Sequence, residues 1–173
     1  KIKGKWYYFQ QGTGAMQIGF AKVSGKTVYY GEDGAMRYEH QLIDGDYYYF
    51  HPKTGAMQTG LLDFGGDRWG FYGADGKQIP MIDAKTAIDA AHEFLKETIN
   101  DEDLEIIKGH YVQYLAAEPE MVEGHSNPQY YIYVIVTEDD SDFDEDDVIY
   151  GDVIRVDAVT KECVYDTDVS GID

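Results

Sequence analysis

The chain holds a single cysteine, Cys163, in 173 residues, so an internal disulfide is excluded. Positive charge is scarce: 14 Lys and Arg face 33 Asp and Glu, for a formal net charge of −19. No basic stripe exists along which a phosphate backbone could lie, which argues against a nucleic-acid partner. No apolar run is long enough to cross a membrane as a helix. Catalytic signatures are missing as well. His92-Glu93 sits on an apolar-periodic segment, but position 96 is lysine, so the two-histidine zinc-protease pattern is absent. None of Ser24, Ser126, Ser141 and Ser170 lies in a nucleophile-elbow motif. Cys163 falls in a strand-like run and reads as a small buried hydrophobe rather than a nucleophile. Asp140, Asp142 and Asp144 alternate as in a calcium loop, yet Glu145 and Gly151 stand where glycine and glutamate are required. The run Glu138 to Asp147 therefore reads as a solvated connection of like charges. A non-enzymatic chain with no metal and no cofactor is expected.

What is present is a repeat. Gly14-Ala15-Met16, Gly34-Ala35-Met36 and Gly55-Ala56-Met57 recur at intervals of 20 and 21 residues, and a further 21 leads to Gly76. Each follows an aromatic cluster: Trp6 to Phe9, Tyr29-Tyr30, Tyr47 to Phe50, then Trp69 with Phe71-Tyr72. A short aromatic strand bounded by glycines is a hairpin arm, because glycine supplies the positive φ of a tight turn. One such hairpin is marginal in water. Each must bury its aromatic face on the next, which predicts a β-hairpin solenoid with Met16, Met36 and Met57 as packing plugs.

The pattern G-K-W-Y-Y-F followed by G-A-M-x-x-G resembles the cell-wall-binding repeats of choline-binding surface proteins, glucan-binding proteins and clostridial toxin receptor-binding regions of Gram-positive bacteria. The resemblance covers residues 4 to about 79. In its choline-binding members it implies a three-sided aromatic cage for a quaternary ammonium. The walls are the aromatic after the glycine of a T-G-W step, the aromatic that leads the W-Y-Y strand, and one from the next strand. The step positions here are Phe20, His40 and Leu61, and only the first is aromatic. The most complete box takes His40 with Tyr48 and Trp69; Phe20 meets Val28 and Tyr48, and Leu61 meets Trp69 with no hairpin after it. Phe20, His40, Tyr48 and Trp69 are thus the expected ligand residues. A sugar stacks on one aromatic face and does not need a closed cage, so a cell-wall polymer or glycan is the expected ligand.

Charge marks a boundary. Residues 1–80 carry a net +1 and residues 81–173 a net −20, and Pro80 stands at the join. Two domains are expected, 1–80 and 81–173. In the second, Asp83 reads as an N-cap before Ala87, Ile88, Ala91, Phe94, Leu95 and Ile99 at helical spacing, predicting a helix from Ala84 to Thr98. Asn100 to Asp103 would end it. Strands are expected at Glu105 to Leu115, Tyr130 to Thr137, Val148 to Val156 and Glu162 to Tyr165, giving a small α+β domain whose helix packs on an antiparallel sheet. D-A-K-T-A-I-D-A-A, Y-Y-I-Y-V-I-V and Val156-Asp157-Ala158-Val159-Thr160-Lys161 resemble the PepSY-type domain, with Lys161 where that family has glycine. Such domains imply binding of a protein or peptide.

The combined reading is a secreted, non-enzymatic protein of the Gram-positive cell surface, its repeats on a wall polymer or glycan and its acidic module on a protein or peptide. The alternative is the anchoring or regulatory tail of a larger secreted hydrolase. Lys1 falls partway through a repeat, which predicts a piece of a longer protein.

Overall fold

The computed structural model describes residues 1–108, 110–137 and 148–166. The acidic run Glu138 to Asp147, with Asp140, Asp142 and Asp144, lies outside them. The chain contacts cluster into two compact units, Lys1–Pro80 and Met81–Asp173.

In the first unit, β1 (Gly19–Val23) pairs with β2 (Lys26–Tyr30), and β3 (Glu39–Ile43) with β4 (Asp46–Phe50), each antiparallel. Ser24-Gly25 and Asp44-Gly45 make the two-residue turns, with φ of 51° and 78°, and 52° and 93°. Positive φ at both central residues matches the twist of the strands, which is why these turns close hairpins. The third hairpin, β5 (Gly60–Asp63) with β6 (Trp69–Tyr72), departs from this. Phe64 N–H donates to Arg68 C=O at 2.9 Å, leaving Gly65-Gly66-Asp67 as a three-residue loop with all three φ positive. A short β7 (Gln78–Ile79) completes its sheet.

Directly opposed residues share a face, so each hairpin has two. Val28 and Tyr30 are buried on the inner face of the first, Ile43, Tyr48 and Phe50 on that of the second. Outer-face rings of one hairpin contact inner-face rings of the next: Tyr29 with Phe50 at 6.3 Å between centroids and Tyr49 with Tyr72 at 6.3 Å, with Tyr8 and Tyr30 at 6.5 Å continuing the series. Backbone bonds repeat on the same beat. Met36 N–H donates to Trp6 C=O at 2.8 Å and Met57 N–H to Thr27 C=O at 2.7 Å.

In the second unit, α1 (Ala84–Thr98) begins at Asp83, whose carboxylate accepts from Thr86 N–H at 2.8 Å. Ala87, Ala91 and Leu95 are buried against Tyr130, Ile132, Val134, Ile154, Val156 and Ala158. The segment expected to start a strand at Glu105 is instead helical: α2 (Asp101–Ile107) is capped by Asn100, which accepts from Asp103 N–H at 2.9 Å. Asp101, Glu102 and Asp103 in its first turn complement the helix dipole. β8 (Tyr111–Ala116), β9 (Glu120–Met121), β10 (Pro128–Thr137), β11 (Val148–Asp157) and β12 (Cys163–Tyr165) form one antiparallel sheet in the order β12-β11-β10-β8, with β9 also on β10. Asp157 ties its last turn: the carboxylate accepts from Val159 N–H at 2.9 Å, Thr160 N–H at 2.8 Å and the side chains of Asn127 and Gln129. Lys161 takes φ of 66° in that turn.

Candidate functional site

The site grows from a register. In the two-residue hairpins the turn sets Phe20 opposite Tyr29 and His40 opposite Tyr49. Each of these pairs lies on the outer face and receives rings from the following hairpin. Around Phe20 stand Tyr29 at 4.9 Å, Tyr48 at 5.2 Å and Phe50 at 6.4 Å between centroids. Phe20 is 42% exposed and Tyr48 only 7%. Tyr48 is therefore a floor beneath Phe20, and burial pushes its phenol pKa up.

Around His40 the walls are Tyr49 at 4.7 Å and Phe64 at 5.0 Å, and these two rings meet at 4.8 Å. The planes are inclined at 57°, 53° and 70°, so the three rings close a triangle. The point equidistant from their centroids lies about 3 Å from each, closer than the roughly 3.5 to 4 Å at which two carbon atoms touch, so the rings themselves fill the space between them. No quaternary ammonium fits inside. His40 is exposed, so the triangle opens to solvent on that side.

The expected box of His40, Tyr48 and Trp69 is not assembled. Tyr48 opposes Gln41 and lies on the inner face of its hairpin, opposite to His40. Tyr48 instead joins Phe20, as the other expected grouping had it, while Val28 is buried on the inner face of the first hairpin and makes no wall there. Trp69 opposes Asp63, at the position held by Tyr47 in the second hairpin, and no ring partner for it is found among the described residues. The cause is the longer third loop. Counting three residues on from Gly25 and Gly45 gives Val28 and Tyr48, but the same count from Gly66 gives Trp69, one place out of phase with them, because Gly66 is the middle residue of a loop of three.

Tyr29, Tyr49 and Phe64 were not among the expected site residues. Strict alternation from the Asp44-Gly45 turn points to Tyr49 as the partner of His40. Phe64 has no such signal. The outer face of the second hairpin also carries Leu42 opposite Tyr47, 61% and 53% exposed, beside His40.

Residues 17–61 match the choline-binding repeat family and residues 1–16 match the cell wall binding repeat family. Residues 1–61 are thus repeats of the choline-binding, cell-wall-binding kind, and such repeats indicate association with the Gram-positive cell wall. No curated protein sequence matches the chain. Among solved structures, CbpJ from Streptococcus pneumoniae TIGR4 is 26% identical over 45% of this chain and 26% of that one, with a TM-score of 0.42. Choline binding protein F from Streptococcus pneumoniae is 22% identical over 73% of this chain and 35% of that one, at 0.40. The pneumococcal cell wall endolysin from phage Cp-1, complexed with choline, is 23% identical over 47% and 30%, at 0.32. The chain spans about a quarter to a third of the length of these proteins. No described helix is long and apolar enough to cross a membrane.

Proposed function

We propose that this chain is a non-enzymatic, secreted surface protein whose hairpin repeats, stacked as a solenoid, attach to a cell-wall polymer or glycan, and whose second unit is a PepSY-like α+β module that binds a protein or peptide. The observation that carries the first half is the recurrence of one arrangement at successive hairpins. Phe20 with Tyr29 and Tyr48, and His40 with Tyr49 and Phe64, each join an exposed outer-face residue to its cross-strand ring and to a ring from the next hairpin.

Repetition suits a polymer. Two weak stacking sites on one rigid array add through effective concentration when the ligand repeats, so modest contacts hold a wall strand that no single monosaccharide would occupy. The closed ring triangle at His40 favours a stacked sugar over a caged ammonium. For the second unit, the capped helix α1, strand β10 and the Val156-Asp157-Ala158 turn support the PepSY-like reading, with Lys161 taking the left-handed conformation at the place where that family has glycine.

Sedimentation of the full chain with purified Gram-positive cell walls tests the attachment. Co-sedimentation that free N-acetylated wall oligosaccharides compete away is the expected result. A chain that stays in the supernatant at every wall concentration removes the proposal.

A further inference from the structure

Strand β8 is an edge of its sheet. Among the described residues its strand partner is β10 alone. Ala117 N–H donates to the C=O of the directly opposed Tyr131 at 2.9 Å. Antiparallel ladders alternate, so Leu115 and Gln113 also turn their backbone groups inward, while Val112, Tyr114 and Ala116 turn theirs away from the sheet. Natural edges of this kind are guarded by charges, proline or a bulge. The stretch Tyr-Val-Gln-Tyr-Leu-Ala has no charge and no proline, and its register to β10 runs unbroken. On the sheet face away from the core, Tyr111 and Leu115 are 50% and 48% exposed, and Tyr133 opposes Leu115.

The flanks of this edge are acidic on both sides. Asp101, Glu102, Asp103 and Glu105 precede it and Glu118, Glu120 and Glu123 follow it, and of the basic residues between 101 and 123 there is only Lys108, which pairs with Glu105. An uncharged strand edge with three outward-facing backbone sets, in a stretch whose sequence neighbours on both sides are acidic, matches one kind of occupant. We propose that the β8 edge takes up an extended, lysine- or arginine-bearing peptide segment as an added antiparallel or parallel strand. Backbone bonds to Val112, Tyr114 and Ala116 supply affinity, apolar side chains of the segment lie beside Tyr111 and Leu115, and its cations face the acidic flanks. A second copy of this chain is a poorer occupant, because pairing β8 with β8 brings two such acidic surfaces together. This inference rests on the reading of the second unit as a peptide-binding module and names its binding place and partner class.

The test uses the full chain and a soluble peptide of alternating lysine and valine, with two controls: the same peptide N-methylated at alternate residues, and its glutamate counterpart. Binding is followed by calorimetry, and amide hydrogen exchange locates it. The expected result is slowed exchange at Val112, Tyr114 and Ala116, weakening with salt, and at least about tenfold weaker binding of the N-methylated peptide, the loss of one or two backbone bonds. Ala116→Pro removes an outward N–H at an edge position that tolerates proline, and is expected to weaken binding with an unchanged circular dichroism spectrum. If that variant does not fold, the N-methylated peptide decides alone. Equal binding of the N-methylated or glutamate peptide overturns the proposal. Slowed exchange elsewhere in the second unit overturns it while leaving the peptide-binding reading, and no binding at millimolar peptide removes both. Self-association that slows exchange at the same amides replaces the peptide with a second copy and likewise overturns it.

Discussion

The Phe64 ring occupies the space that a side chain at Gly70 would need: a Cβ there would stand 2.8 Å from Phe64 Cε2 and 2.9 Å from Tyr72 Cε2. In the second hairpin the place of Gly70 belongs to Tyr48, whose ring reaches Phe20. The third hairpin thus supplies its aromatic wall to His40 from a different position on the same face. Gly70→Ala should cost about 1 to 3 kcal/mol by overpacking. Combined with Phe64→Ala it should cost less than the two changes added, with a coupling of about 1 kcal/mol or more in denaturant unfolding. Strict additivity would mean that the two residues do not share this space.

A second contact recurs along the array. The sulfurs of Met16, Met36 and Met57 lie where a Cβ on Gly34, Gly55 and Gly76 would fall, and all three glycines have positive φ. Gly55→Ala meets both strain and collision and should destabilise the first unit by about 2 to 4 kcal/mol. Gly45→Ala, at positive φ with open space around it, isolates the strain alone and should cost distinctly less. Equal losses in thermal unfolding would remove the packing role of Met36.

Besides the hairpin-turn residues Ser24, Asp44 and Asp67, Glu39 and Lys161 are non-glycine residues in left-handed positions. Glu39, with φ of 59°, stands where the other hairpins have Gly19 and Gly60, and Lys161 has φ of 66°. Glu39→Gly and Lys161→Gly should each leave stability unchanged or raise it by up to about 1 kcal/mol, relief of strain being offset in part by the greater freedom of glycine in the unfolded chain. A loss above about 1 kcal/mol for Lys161→Gly would mean that its side chain, not its backbone, matters.

How far the sequence reached depends on what set each feature. The beat of Gly34-Ala35-Met36 and its kin showed the hairpins because turn glycine and aromatic strand are local signals. The helix Ala84–Thr98 was legible from Asp83 and its apolar spacing. The faces of the hairpins were not read correctly, since Tyr47, Tyr48 and Tyr49 are chemically alike and only register separates the exposed Tyr47 from the buried Tyr48. The third loop hid its extra residue behind Gly65-Gly66, which shifted Trp69 out of phase. α2 was misread because Ile106-Ile107 looks strand-like, while the cap at Asn100 and the acids after it act over a single turn.

Asp157 gives a pH prediction. Burial raises its carboxyl pKa, but the N–H groups of Thr160 and Val159 and the amides of Asn127 and Gln129 outweigh this and hold it below the ordinary carboxylate range. A lowered folded-state pKa stabilises above the unfolded value of about 3.9, and that contribution is lost as pH falls through the folded value. Asp157→Asn should therefore destabilise the second unit at pH 7 by about 1 to 3 kcal/mol, and the gap to the unsubstituted chain should narrow below about pH 4. A gap that stays constant down to pH 2 would contradict this role.

The net −20 of residues 81–173 makes this region self-repelling. Raising sodium chloride to ionic strengths where the Debye length is about 8 Å or less should raise its unfolding temperature. Calcium at matched ionic strength should add little. A large shift specific to calcium would identify an ion site in the acidic run.

If the outer faces of the hairpins hold a repeating wall polymer, competition on purified Gram-positive walls reads it out. Phe20→Ala and His40→Ala, measured singly and together against Lys53→Ala at an exposed loop position, should each weaken wall binding several-fold and together abolish it, while Lys53→Ala leaves it unchanged. Choline at low millimolar concentration should displace little of the bound chain, because the triangle of His40, Tyr49 and Phe64 has no room for it. Wall binding that survives the double substitution, or is released by micromolar choline, would mean that these rings do not hold a wall polymer by stacking.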